Sequence, residues 1–531
     1  MSKITRALHS TRPVNLAGAP TFTRSREEQV VLALTVGTFE PTFYADVRTL
    51  TTQALDLFRA FAVSDPTFLA QAILYAREQG LMRTAPITAL AVLSTGGAPA
   101  KAAFRQIFPR VIKTPGDLQD FLACVHHSPI RGMGKLVQKA IQTWLRSMSE
   151  YHVIKYGSDH QEMSLRDIYR LAKPRPTTPL ENALAAYCTK GLVDATLLPQ
   201  IAGYEAFKVA AKASVNPDQT AEQRARSTVE ALALVDAHRL PWEVVTTHFA
   251  GNTDAWHVMM WQMPYFALLR NLSNLLKYDV FTAYPDDLSY AVKILTDLDR
   301  VALSKILPFQ FYSARKRLES ETSAHAYIIQ ALENAMDLAF VNMPYLQGHV
   351  LLANDVSESM QSTASERGTS TCAEIAALFA AGAFKRSKDA TIVSFATSLT
   401  VREVTRDQPL AEIVQQISRD GGGTDLSLPI QYATLHDPPF DTVICFTDNE
   451  SWVDCLKGIS THQCLATYRQ THPDTRFFFA QLLPYTDAVV PPNEPNCYFL
   501  YGWSAATLNF IASICAGQAT QVEHIKTLAL S

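Results

Sequence analysis

Asp355-Val-Ser-Glu-Ser, Gly421-Gly-Gly-Thr and Thr447-Asp-Asn-Glu are the three segments of this 531-residue chain whose side chains invite metal chemistry. The first is a D-x-S-x-S run. Thr424 follows Asp355 by 69 residues, and Asp448 follows Thr424 by another 24. The first and third segments come directly after apolar, strand-like runs, Val350-Leu-Leu-Ala-Asn and Thr442-Val-Ile-Cys-Phe. Thr424 leads into a helical pattern. At one edge of a sheet, Asp355, Ser357, Ser359, Thr424 and Asp448 would form a cage of two carboxylates and three hydroxyls. Hard divalent cations take such ligands, Mg2+ first, with Mn2+ or Ca2+ as substitutes. Taken alone, D-x-S-x-S reads equally well as a helix-capping turn; three segments at strand ends favour the ion. No Gly-Lys-Ser/Thr follows Gly421-Gly-Gly, which argues against a nucleotide loop. No general base stands beside these ligands, so the expectation is a site that binds rather than an enzyme.

A second cluster is basic. Eight Lys and Arg lie between Lys101 and Arg146, against only Asp117 and Asp120. Lys135 and Lys139 are four apart and share a helix face, with Arg131 a turn earlier. A polyanion is a natural partner, and a solvated face is the competing explanation. The charge of the whole chain, -3, conceals a split. Residues 346–531 hold 11 Lys+Arg against 19 Asp+Glu, a net of -8, which leaves 36 against 31 before that point, a net of +5. Halves of opposite sign suggest different partners.

The elements that must position these residues change type near Leu346. Before it, helical signals dominate. Asp65-Pro-Thr-Phe opens one with a capping Asp and Pro at the first helical position. Many medium helices separated by Pro, Gly and Asp breakers suggest stacked helical hairpins. After it, continuous apolar strands alternate with helices, which predicts a parallel sheet covered on both faces. Two domains are expected, 1–345 and 346–531. No apolar run approaches the ~18 residues of a membrane span. The start carries no secretory pattern, and the eight cysteines are scattered. These features predict a cytoplasmic protein with no membrane partner. Met259-Met260-Trp261 with Met263 reads as core packing, and Arg270, in an apolar setting, as a structural hydrogen bonder.

The D-x-S-x-S, Thr, Asp pattern resembles the metal-ion-dependent adhesion site of von Willebrand factor A-like domains. That resemblance implies a Rossmann-like fold for 346–531, with Asp355, Ser357, Ser359, Thr424 and Asp448 holding the ion directly or through water. A partner's acidic oxygen would complete the coordination. A broader resemblance spans nearly the whole chain. Phe446-Thr-Asp-Asn-Glu-Ser-Trp, Gly422-Gly-Thr-Asp-Leu-Ser-Leu-Pro, Met263-Pro-Tyr-Phe-Ala-Leu-Leu-Arg-Asn-Leu and Ser164-Leu-Arg-Asp-Ile-Tyr-Arg-Leu are similar to the Ro autoantigen family, bacterial orthologues included. The resemblance implies a TROVE module, a ring of HEAT-like helical hairpins forming an α-solenoid, closed by the A-domain. It also implies binding of small non-coding Y RNAs on the ring's outer surface and of single-stranded ends of misfolded RNAs in its hole. Lys155, Arg170, Lys173 and Arg175 would then join Arg131, Lys135 and Lys139 in contacting RNA. Lys173 stands where that family commonly has His. The expectation is a non-enzymatic ribonucleoprotein scaffold or RNA quality-control factor. The A-domain's metal site would offer a seat to an exoribonuclease or another acidic protein. The rival reading is a metal-dependent protein scaffold without RNA.

Overall fold

A computed structural model of the chain describes residues 22–35, 47–126, 134–157, 163–319, 326–363, 370–419, 421–453, 457–483, 487–491, 494–501, 505–515 and 521–530. The chain forms two compact units. One gathers residues 1–89, 301–317 and 330–530, and the other residues 90–300 and 318–329.

The first unit is built on a sheet. A two-residue strand β1 (Phe22–Thr23) stands apart from six strands: β2 (Leu346–Asp355), β3 (Ser387–Phe395), β4 (Leu399–Arg402), β5 (Thr442–Thr447), β6 (Arg476–Gln481) and β8 (Cys497–Tyr501). Their order is β4-β3-β2-β5-β6-β8, and β1 pairs antiparallel with β7 (Asp487–Ala488). β2, β3, β5, β6 and β8 run parallel, as their unbroken apolar runs require. β4 corrects the expectation of an all-parallel sheet. It returns antiparallel beside β3 at the edge, and its short, half-exposed run has no buried face to signal a strand. Helices Cys372–Lys385 and Leu410–Ile417 pack beside the sheet. The first is fixed at its start by Thr371 and Glu374, which cap each other's backbone N–H groups.

Helices from the beginning of the chain belong to this unit because its closing helix, Gln521–Lys526, packs on Pro66–Glu78. The Gln71 amide donates to the carbonyls of Lys526 and Leu528 at 2.7 and 2.9 Å, and Gln521 donates to the Tyr75 hydroxyl at 2.8 Å. The change from helices to strands falls at Leu346, whereas the compact unit draws on chain from both sides of it.

The second unit is helical throughout its described residues. Pro199–Ser214 packs along Ala221–His238, and Leu165–Ala172 along both Lys135–Trp144 and Pro179–Lys190. Capping explains the starts. Ser164 and Asp167 form a reciprocal cap, as do Thr220 and Gln223, each such cap contributing about 1 kcal/mol. No described helix is long and apolar enough to cross a membrane.

Candidate functional site

The carboxyl ends of β2 and β5 bring Asp355 and Asp448 to one edge of the sheet. Asp355 closes β2, and the following Val356 N–H still bonds the Phe395 carbonyl at 3.0 Å. The chain then turns: Glu358 N–H donates to the Gly422 carbonyl at 2.9 Å, which ties the D-x-S-x-S loop to the glycine loop. Gly422 has φ +112°, and a side chain on Gly423 would overlap the Trp452 ring, its Cβ falling 2.4 Å from Cζ2. Glycine is therefore needed at both positions. The Thr424 carbonyl accepts from Trp452 and Val453 N–H at 3.1 and 3.0 Å, tying the glycine loop to the segment that carries Asp448. Asn449, next to Asp448, sits in the left-handed region at φ 65°.

All five predicted ligands are buried, none more than 2% exposed. Ser357 N–H donates to Asp355 Oδ1 at 3.0 Å, and Thr447 Oγ1 to Asp355 Oδ2 at 2.6 Å. The Ser357 and Ser359 hydroxyls lie 3.3 Å apart. The Ser359 hydroxyl also favours the charged form of Asp448, though burial outweighs it and pushes that carboxyl up. Asp448 Oδ1 accepts from Glu450 N–H at 3.0 Å, whereas its Oδ2 is buried with no hydrogen-bond partner. Burial, and then the negative charge of Asp448, push Asp355 up as well. The nearby Lys457 is committed elsewhere, 2.7 Å from Asp425, which also accepts from Ser427. Two buried carboxylates, an orphaned oxygen and two adjacent hydroxyls form a donor set that fits a hard divalent cation.

Sequence reasoning missed Arg24. It is 2% exposed, donating to the Tyr501 hydroxyl at 2.6 Å and to Gln481 Oε1, with its guanidinium 4.7 Å from the Phe499 ring centre. Gln481 Oε1 also accepts from Asn449 Nδ2 at 3.2 Å, so a residue near the start of the chain braces the neighbour of Asp448. No local pattern around Arg24 signals these contacts, because Tyr501 and Gln481 lie more than 450 positions away.

The basic candidates divide. The Gln142 amide donates to the Ala172 carbonyl at 2.7 Å, and Gln138 reaches the Leu171 and Ala172 carbonyls at 3.3 Å. The helix Lys135–Trp144 is thereby held against the C-terminal end of Leu165–Ala172. Lys135 and Lys139 lie within a turn of those glutamines and are exposed. Arg170, Lys173 and Arg175 are exposed at that helix end, where Lys173 takes the left-handed capping position at φ 48°. Lys155 is different. Its ammonium is 2.7 Å from Glu243, and both side chains are about a quarter exposed. Arg131 lies outside the described residues. Arg270 corrects its expectation: it is exposed, with its guanidinium 5.8 Å from the Phe266 ring centre, because it falls on the outer face of an amphipathic helix. Met259, Met260 and Met263 are core residues as expected, but Trp261 among them is 49% exposed.

Two family profiles match the chain, one described as "TROVE domain" over residues 25–240 and 238–328, the other as "Ro60 vWA domain" over 349–514. The chain is 27% identical over 537 residues to the RNA-binding protein RO60 of Deinococcus radiodurans, covering 95% of each. To the RNA-binding protein RO60 of Caenorhabditis elegans it is 26% identical over 300 residues, 54% of this chain and 46% of that one. The crystal structure of the Deinococcus radiodurans RO (RSR) protein shares the fold, with a TM-score of 0.71 at 24% identity, covering 93% of this chain and 100% of that chain.

Proposed function

Because the chain belongs to the Ro family of joined TROVE and vWA domains, we propose that it is a non-catalytic RNA-binding protein. The observation that carries this reading is the cluster of exposed cations where two helices meet: Lys135 and Lys139 on one, Arg170, Lys173 and Arg175 at the end of the other. Phosphates are its natural ligands, and a small structured non-coding RNA of the Y-like class its natural partner, with single-stranded ends of misfolded RNA a second class of ligand. That two relatives over much of the chain carry the name RNA-binding protein supports the same conclusion. A gel-shift series over increasing KCl tests it. Affinity should fall steeply with salt, and Lys135→Glu with Lys139→Glu should flatten the slope by roughly two contacts, about 0.7–0.9 each. No binding at low salt would end this reading.

The vWA domain has a separate role in this proposal. Asp355, Ser357, Ser359, Thr424 and Asp448 would hold Mg2+ directly or through water, with Mn2+ or Ca2+ able to replace it. Bound there, the ion would supply a positive centre within a domain of net charge -8. That charge disfavours RNA on this domain and suits an acidic protein partner, such as an exoribonuclease, only through the ion.

A further inference from the structure

The helical unit contains a cavity of about 580 Å3 whose wall includes Tyr151, Arg239 and Trp261. Trp261 is unusual among its walls. It is 49% exposed and yet held on two sides. Its indole N–H donates to the buried Asp287 at 2.9 Å, and its ring stacks on Tyr290 with centres 4.1 Å apart. His257, 2.7 Å from the other Asp287 oxygen, fixes that carboxylate in turn. A pinned aromatic plane with part of its surface open to a cavity is a stacking platform. Trp242 adds a second half-exposed indole to the wall.

The polar groups of the cavity say what could stack there. Arg239 contributes one positive charge and Asp236 one negative, so the lining does not favour a phosphate. Gln262 donates to Asp236 at 3.2 Å, which presents an amide and a carboxylate side by side. Such a pair matches the donor and acceptor edge of a nucleobase. The volume lies in the range of small-ligand sites and is ample for one nucleotide. None of Lys135, Lys139, Arg170, Lys173 and Arg175 lines the cavity, and the one basic candidate near it, the ion-paired Lys155, lies 5.8 Å from the ring centre of Tyr151 in its wall.

The geometry points to this cavity as a pocket for one unpaired base of single-stranded RNA, stacked on Trp261 and read at its edge by Gln262 and Asp236. The inference rests on the RNA-binding reading above and adds a contact that is not electrostatic. Base-on-aromatic stacking tolerates any sequence and is insensitive to salt, unlike phosphate contact.

The test uses the full chain with two probes, a ten-nucleotide oligouridylate and a blunt-ended RNA hairpin closed by a tightly structured tetraloop that offers no free base, titrated at several KCl concentrations. Trp261→Leu should weaken oligouridylate binding roughly 5- to 150-fold, the effect of losing one stacked base. Its salt slope should match wild type, and its hairpin binding should be unchanged. Trp261→Phe should retain most of the affinity. Gln262→Ala removes the edge-reading amide and leaves in place the hydrogen bond and the ring stacking that hold Trp261. It should weaken oligouridylate severalfold, and it carries the test if Trp261→Leu fails to fold. Equal oligouridylate affinity in wild type and the folded variants, with hairpin binding intact, overturns the pocket and leaves the RNA reading standing. Absence of binding to both probes by wild type overturns both.

Discussion

The Thr447 hydroxyl donates a 2.6 Å hydrogen bond to Asp355 Oδ2, linking the last residues of two neighbouring parallel strands. With Ser357 N–H on Oδ1, both Asp355 oxygens already have a donor, whereas Asp448 keeps Oδ2 unpartnered. Asp448 is therefore the carboxylate best placed to meet an ion directly, and Asp355 the one that is oriented by its neighbours.

That asymmetry predicts unequal losses. Wild type should gain about 2.7 kcal/mol of stability at Mg2+ one hundred times its Kd. Asp448→Asn should lose that gain entirely. Thr447→Val should keep most of it, since only the orientation of Asp355 is loosened. Thermal melts with and without Mg2+ measure the difference, and an undiminished Mg2+ shift in Asp448→Asn would remove this residue from the site.

Without the ion, the buried pair has its own pH signature. Burial and Asp448 push the Asp355 carboxyl up to about 7, against about 3.9 in an unfolded chain. Between these values the folded state holds a proton that the unfolded state has released, so Asp355's contribution to stability falls as pH rises. Melts in chelator should show Asp355→Asn gaining on wild type from pH 4 to pH 7, then holding its lead. Excess Mg2+ should cancel that lead at pH 8. A difference between the two proteins that stays flat across the range would refute the assignment.

The ion pair Lys155–Glu243 makes Lys155 a poorer RNA contact than its neighbours in the basic set. Phosphate would have to displace a carboxylate already 2.7 Å from the ammonium. Lys155→Met should therefore change RNA affinity less than Lys173→Met, by severalfold at low salt. Its effect on stability should stay within about 1 kcal/mol, because both partners are partly open to water. Parallel gel shifts of the two variants decide the order, and a larger loss for Lys155→Met would place phosphate on that lysine.

The contrast between Lys155 and the cage residues shows what local sequence can carry. Asp355, Thr424 and Asp448 are legible because each is anchored to an element with its own signal: an apolar strand, a glycine turn, a second strand. Parallel pairing then brings strand ends together without further information. Lys155 meets Glu243 from 88 positions away, and Arg24 meets Gln481 from 457. Neither pairing leaves a periodicity or a motif behind. Trp261 fails for a related reason. It sits among three buried methionines, and only the fold reveals that its ring turns outward against Tyr290. β4 is lost because an edge strand four residues long has no buried face to write an apolar run.

The composition of the sheet-bearing unit leads to the last prediction, on where the chain can be cut. Division at residue 345 follows the change from helices to strands but passes through a compact unit. It would part Gln71 from the carbonyls of Lys526 and Leu528, Lys316 from Glu374 at 2.7 Å, and Arg24 from Tyr501 and Gln481. Each buried polar group left without its partner costs about 1–3 kcal/mol, and a few such losses rival the 5–15 kcal/mol that holds a typical domain folded. A 346–531 fragment should therefore melt several degrees below the full chain, with a broadened transition and exposed apolar surface that binds a hydrophobic dye. The 1–345 fragment should retain RNA binding to the extent that circular dichroism shows its helices formed, because the basic cluster lies wholly within residues 90–300. Mixing the two fragments should sharpen the melt again. If 346–531 alone unfolds as cooperatively and at the same temperature as the full chain, the contacts from residues 1–89 and 301–317 contribute nothing to it.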